Sequence, residues 1–182
     1  MKLAKLLYEI KIYHGDNHGT RQLKIKMMMQ KSANNQEGVG IYFSDLIDTA
    51  EKYAKDVIWV DINKNNFVES RDPARSHISK SKFVALLKEM IKIDKEEMFY
   101  FLSDYAYIED PEDIDEYVLL EAAPVLLNNE IRNLQVELAT VIGVESFVKL
   151  WNKIIRIDGT YHSNGPDIWY AIINPKYKVN KK

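Results

Sequence analysis

Three short segments hold the residues able to do chemistry, and they lie far apart in a chain of 182 residues. Tyr13-His14-Gly15 pairs an imidazole with a residue that has no side chain. Gly38-Val39-Gly40-Ile41-Tyr42-Phe43-Ser44-Asp45 is followed by Tyr53, eleven positions after Tyr42. Near the C-terminus come the acids Asp158 and Asp167. There is no cysteine, so disulfides, thiol nucleophiles and Cys-ligated zinc are excluded. The four histidines show no metal-ligand spacing, so no metal is expected. Any chemistry therefore rests on His, carboxylates, hydroxyls or a bound small molecule. Taken singly, each segment has a plain structural reading: a hydrogen-bonded histidine, a tight glycine turn, a packed tyrosine, an acidic turn residue. A Gly-x-Gly of this length is too short to be a Rossmann fingerprint.

The elements that must position these residues follow from periodicity. Residues 8–14 alternate, with Ile10 and Ile12 opposite Glu9 and Lys11, and read as a strand. A polar turn over 15–20 follows, then a helix over 21–31 with Leu23, Met27 and Met28 at near-helical spacing. A short strand over 38–43 leads to a helix over 49–55, with Asp45 or Asp48 as its cap. Residues 57–62, rich in β-branched and aromatic types, form the next strand. From 79 to 155 the period is helical, and Pro111 is placed to open a helix after the acidic stretch 109–113. Strands return over 154–162 and 167–173, with a turn over 163–166. Strands, a helical insert and strands again make an α+β fold with antiparallel pairing, in one domain over 1–182.

Composition narrows the class. Hydrophobic residues at 46% and charged residues at 29% suit a globular domain with a real core. A net charge of −2 supplies no global basic field for nucleic acid, although Lys24, Lys26, Lys31, Lys52 and Lys55 cluster locally. No apolar run is long enough to span a bilayer, and the apolar start is broken by Lys5 and Glu9, so a cytoplasmic protein without a membrane partner is expected.

Taken together, the three segments resemble the diphtheria-toxin-like ADP-ribosyltransferases, the class that includes the poly(ADP-ribose) polymerases. Gly38 to Tyr53 is similar to their NAD-binding signature, a Gly-x-Gly-Ile-Tyr-Phe strand followed by a helix that carries a second Tyr. His14-Gly15 matches the His-Gly that ends their first strand. Asp167-Ile-Trp-Tyr-Ala-Ile-Ile-Asn-Pro-Lys-Tyr resembles their third motif, an acid opening a strand that runs into a Pro-x-Tyr tail. The resemblance covers roughly residues 8–62 and 154–179, and the helical middle has no counterpart. It implies a split antiparallel sheet carrying a helical insert.

It also implies roles. His14 would hold the adenosine-side ribose of NAD, and Gly15 would meet the nicotinamide amide through its backbone. Tyr42 and Tyr53 would sandwich the nicotinamide ring. Asp167 would bond the nicotinamide ribose and stabilise the oxocarbenium-like charge that forms as nicotinamide leaves. His14, Tyr42 and Asp167 are thus the expected catalytic residues. His14, Gly15, Tyr42 and Tyr53 are the expected NAD contacts.

The implied activity is mono-ADP-ribosyl transfer from NAD to a protein or nucleic-acid acceptor, as suits a small effector. An NAD- or ADP-ribose-binding module without transfer is the alternative. A tRNA 2′-phosphotransferase would want arginines gathered in a groove, whereas Arg21, Arg71, Arg75, Arg132 and Arg156 are scattered. The chain departs from the pattern in having Asp where polymer-forming members carry Glu. It also has Ala50 where the family has a Ser, with Thr49 and Ser44 nearby. His18 competes with His14 for the first motif, and Asp158 or Asn164 with Asp167 for the third. His162 reads as an exposed loop residue close to the acid.

Overall fold

Alternation along the first strand is visible in its burial: Glu9 and Lys11 are exposed and Ile12 is fully buried in β1, Glu9–Gly15. A computed structural model describes residues 9–24, 28, 38–75 and 77–181. β2 is Ile41–Ser44, β3 Val57–Asn63, β4 Phe67–Glu69, β5 Gly159–Asn164, β6 Asp167–Ile172 and β7 Asn180–Lys181. They form one sheet in the order β4-β5-β6-β2-β1-β3-β7. Neighbours are antiparallel except β4 and β5, which run parallel. That exception follows from the connection, because the whole helical insert runs between them, long enough for a crossover.

The pairing is uneven. β1 and β3 match over seven residue pairs, and β2 and β6 over four. Between β1 and β2 the register holds a single pair, Tyr13 opposite Ser44. The four strands β4-β5-β6-β2 and the three strands β1-β3-β7 therefore meet at one point.

The insert comprises α2 (Lys80–Ile91), α3 (Lys95–Ser103), α4 (Glu116–Leu127), α5 (Ile131–Ile142) and α6 (Val144–Leu150), and α1 (Ile47–Glu51) precedes it. Ser79, Asp94 and Asp115 cap α2, α3 and α4 by accepting an amide N–H three residues on. Helix and strand residues share one buried cluster, in which Phe43, Tyr170 and Ile12 join Phe83, Leu134, Phe147 and Trp151. Among the described residues, no helix is long and apolar enough to cross a membrane.

Several expected elements are corrected. Residues 21–24 are irregular rather than helical, although Leu23 is buried; 25–27 and 29–31 lie outside the described residues. Neither Asp45 nor Asp48 caps α1. Leu46 takes the cap position, and the Asp45 carboxylate instead accepts the Ile168 amide at 2.8 Å. Pro111 opens a 3-10 turn, Pro111–Asp113, which the reciprocal side-chain bonds of Asp110 and Asp113 close off, so α4 starts only at Glu116. Residues 151–155 continue the helical path as a π turn, and Arg156, in the left-handed region (φ 62°), ends it. The strand expected from 154 therefore begins at Gly159. A Cβ there would lie 2.1 Å from the Ala171 carbonyl oxygen, so only glycine lets β5 start against β6.

Asp158, just before β5, is buried and serves the C-terminal tail. Its carboxylate accepts from Asn66, Asn174, Lys176 and the Tyr177 hydroxyl at 2.6–2.8 Å. Burial opposes its charge, but these donors outweigh burial and hold its pKa below the ordinary carboxylate value. Asp158→Ala should cost about 3 kcal/mol in urea unfolding at neutral pH, because it strands several donors. A carboxyl with a depressed folded pKa contributes fully above its unfolded value, near 3.9, and loses that contribution as pH falls through the folded value. The gap between wild type and variant should therefore narrow toward acid pH.

Candidate functional site

Directly opposed residues of an antiparallel pair lie on the same face of a sheet, and so do residues two apart along a strand. Ser44 is opposite Tyr13 on one side and Trp169 on the other. These three share a face with Tyr42, Ala171 and Asp167. The sequence-expected residues Tyr42 and Asp167 are thus brought to one side of the sheet, beside the single-pair junction of β1 and β2.

Helix α1 lies against this side. Its Thr49 hydroxyl donates to Asp167 Oδ2 at 2.5 Å. Tyr53, in the turn that ends α1, is 66% exposed and meets the Trp169 ring edge-on with centroids 5.9 Å apart. Tyr42 sits diagonal to Trp169 across β2 and β6, and its hydroxyl donates to the Gly38 carbonyl at 2.5 Å. Gly15 packs under α1 so closely that a Cβ would fall 2.6 Å from the Ala50 carbonyl oxygen and 3.0 Å from the Ala54 nitrogen. The missing side chain is required by helix packing alone. The start of the acid's strand is secured by Asp45, whose amide donates to the Ile168 carbonyl while its carboxylate accepts the Ile168 amide.

His14 lies on the opposite face. It follows Tyr13 in β1, its ring leans on buried Phe43 with centroids 5.3 Å apart, and its Nδ1 meets the Tyr42 carbonyl oxygen at 2.6 Å. Burial lowers its pKa, only partly offset by that hydrogen bond and by Asp16, so the neutral ring donates to the carbonyl. His18 is held off the strand. Its amide and that of Thr20, with the Thr20 hydroxyl, all donate to buried Asp16, in a loop where Gly19 has φ 66°. Burial opposes the Asp16 charge, yet these donors outweigh it and depress its pKa.

Of the other candidates, Asp158 is occupied by the tail, and Asn164 pairs with Asp167 across the hairpin. Thr49 gives its hydroxyl to Asp167, and buried Ser44 accepts the Leu46 amide. His162 is not an exposed loop residue. It is half-buried in β5, opposite Trp169, and its Nδ1 lies 3.0 Å from Glu69 Oε1. The roles of Glu69, Trp169 and Thr49 escape sequence reading. Trp169 had a local signal, since it stands two residues after Asp167 in an alternating strand, but Glu69 and His162 are 93 positions apart. Among the described residues, no group of three or more His, Cys, Asp or Glu side chains is placed to hold a metal ion.

Compared with models of known protein families and with curated proteins, the sequence matches none. Among solved structures, it is similar to a crystal structure of an anti-CRISPR protein, at 13% identity over 96% of each chain with a TM-score of 0.39. At that TM-score, the functional reading rests on this chain's own residues.

Two outcomes follow from the geometry. Gly15→Ala should destabilise the protein by about 1–3 kcal/mol in urea unfolding, because its Cβ meets backbone that cannot turn aside. For His14, the unfolded chain takes up a proton near the ordinary imidazole value of 6.5, before the folded chain does. Stability should therefore fall as pH drops from there through the lowered folded value. His14→Gln, which can still donate to the Tyr42 carbonyl, should flatten that slope in denaturation measured from pH 8 to pH 5.

Proposed function

We propose that this chain is an NAD-dependent mono-ADP-ribosyltransferase built on an ADP-ribosyltransferase-like split sheet. The observation that carries the reading is the Thr49–Asp167 hydrogen bond. It ties the acid of β6 to the helix that leads to Tyr53, on the sheet face that carries Tyr42. The resemblance assigns these residues to one pocket from positions 118 apart in the chain, and this contact is the kind that such a pocket needs.

In this reading the nicotinamide ring of NAD rests against Tyr42 and Tyr53, with Trp169 backing Tyr53. Aromatic faces supply apolar area and attract the pyridinium charge. The Gly15 backbone would meet the carboxamide, although the space of its missing side chain is filled by α1. His14, which the resemblance assigns to the adenosine-side ribose, stands on the other face of the sheet and in this reading acts on the site only by orienting the strand end through its bond to the Tyr42 carbonyl. Asp167 accepts from a hydroxyl of the nicotinamide ribose. As the ribose–nitrogen bond breaks, its electron pair leaves with neutral nicotinamide, and the carboxylate stabilises the positive charge that develops on the sugar. A protein or nucleic-acid nucleophile then bonds to the anomeric carbon and loses its proton. Asp, one methylene shorter than Glu, suits single transfer in this assignment.

A second reading keeps binding and drops transfer. The Thr49 hydroxyl that positions Asp167 also occupies one of its oxygens, and a carboxylate engaged in this way stabilises positive charge less. Nicotinamide release from NAD separates the two. Transfer predicts release by the wild type, loss of release and of the NAD-induced rise in Tm in Tyr42→Ala, and a drop of about 10²-fold or more in Asp167→Ala with the Tm rise retained. A wild-type protein that NAD stabilises but that releases no nicotinamide would select the binding reading.

A further inference from the structure

Glu69 and His162 form a pair that none of the roles above uses. Glu69 ends β4, and its carboxylate accepts the backbone amides of Arg71 and Asp72 in the turn beyond. Its remaining oxygen, Oε1, lies 3.0 Å from His162 Nδ1. The two side chains are only 10% and 20% exposed, so the carboxylate is locked by main chain and the imidazole keeps a small open surface. A carboxylate that accepts amide N–H groups is an acceptor, so in the neutral imidazole the proton sits on Nδ1 and the lone pair on Nε2.

Register puts this imidazole beside the acid. His162 is opposite Trp169, and Asn164 is opposite Asp167. His162 and Asp167 are therefore diagonal neighbours on one face, roughly 7–8 Å apart at their backbones. A carboxylate-oriented imidazole at that spacing from the acid that bonds the sugar has the arrangement a nucleophilic displacement needs: one group for charge on the sugar, another for the proton of the incoming nucleophile.

We propose that His162 is the general base that takes the proton of the acceptor, with Glu69 as its positioning residue. This rests on the transfer reading. The acceptor O–H or N–H gives its proton to Nε2 while its lone pair bonds to the anomeric carbon. The bond from that carbon to the nicotinamide nitrogen breaks, its electron pair leaves with neutral nicotinamide, and the imidazolium later releases the proton to water. The acceptor is thereby defined as a neutral nucleophile with a proton to lose.

The test uses nucleophiles that do and do not carry that proton, in the full chain, with water and then azide as acceptor. His162→Asn keeps a donor toward Glu69 but cannot act as a base. It should lower nicotinamide release in water by about 10²-fold or more. Sodium azide, which has no proton to lose, should restore most of that rate and yield ADP-ribosyl azide, while the NAD-induced shift in Tm stays at the wild-type value. Glu69→Gln should lose less and be restored in the same way, and Asp167→Ala should not be restored. His162→Ala, with the same two readouts, covers the case in which the Asn variant folds poorly. Wild-type release by His162→Asn would overturn the proposal. So would a loss that azide does not restore while NAD still shifts Tm, since the pair would then only stitch β4 to β5. If the wild type releases no nicotinamide with water or azide, the transfer reading itself falls, and this assignment with it.

Discussion

The single residue pair between β1 and β2 is the constraint on which the rest of the architecture depends. A fully zipped pair would carry a ladder of backbone hydrogen bonds, as β1 and β3 do over seven pairs. Here the ladder stops at Tyr13 and Ser44. The Tyr42 carbonyl on the strand beyond is met by the His14 imidazole. A buried carbonyl needs a donor, and a side chain that supplies one frees the strands from running together. His14 is consequently held neutral by the burial that makes it useful there.

Around that junction the packing is carried by backbone more than by side chains. Gly15 lets α1 approach β1, and Gly40 and Gly159 both let β-strand backbone close on Ala171. Asp45 clamps Ile168 through both its amide and its carboxylate, which fixes where β6 starts and therefore where Asp167 stands. Thr49 then ties that acid to α1. The chain of causes runs from glycine contacts to helix position to the placement of one carboxylate. Asp158, the other C-terminal acid, spends its charge on the tail and plays no part in it.

Much of this was legible where the signal is local. Alternation in β1 and β3, and the helical period of the insert, are written in consecutive residues. Where two forces competed for one residue, the local rule lost. Asp45 has the composition of a helix cap, yet a strand amide 123 positions away took its carboxylate. Pro111 has the composition of a helix start, but its neighbours closed a 3-10 turn first. The Glu69–His162 and Thr49–Asp167 contacts could not be read at all, because only the strand order brings β4 beside β5 and puts α1, packed on β1, β2 and β3, within reach of the first residue of β6. The gathering of Tyr42, Tyr53, Gly15 and Asp167 had a signal only through resemblance, since no periodicity links segments so far apart.

The central claim is that NAD is bound across this junction by those residues. A crystal structure of the protein with a non-hydrolysable NAD analogue tests it most directly. The account predicts the nicotinamide ring between Tyr42 and Tyr53, its carboxamide at the Gly15 backbone, and a hydroxyl of the adjoining ribose on Asp167. An analogue bound elsewhere, or one that does not bind at concentrations that saturate NAD-dependent transferases, would contradict it.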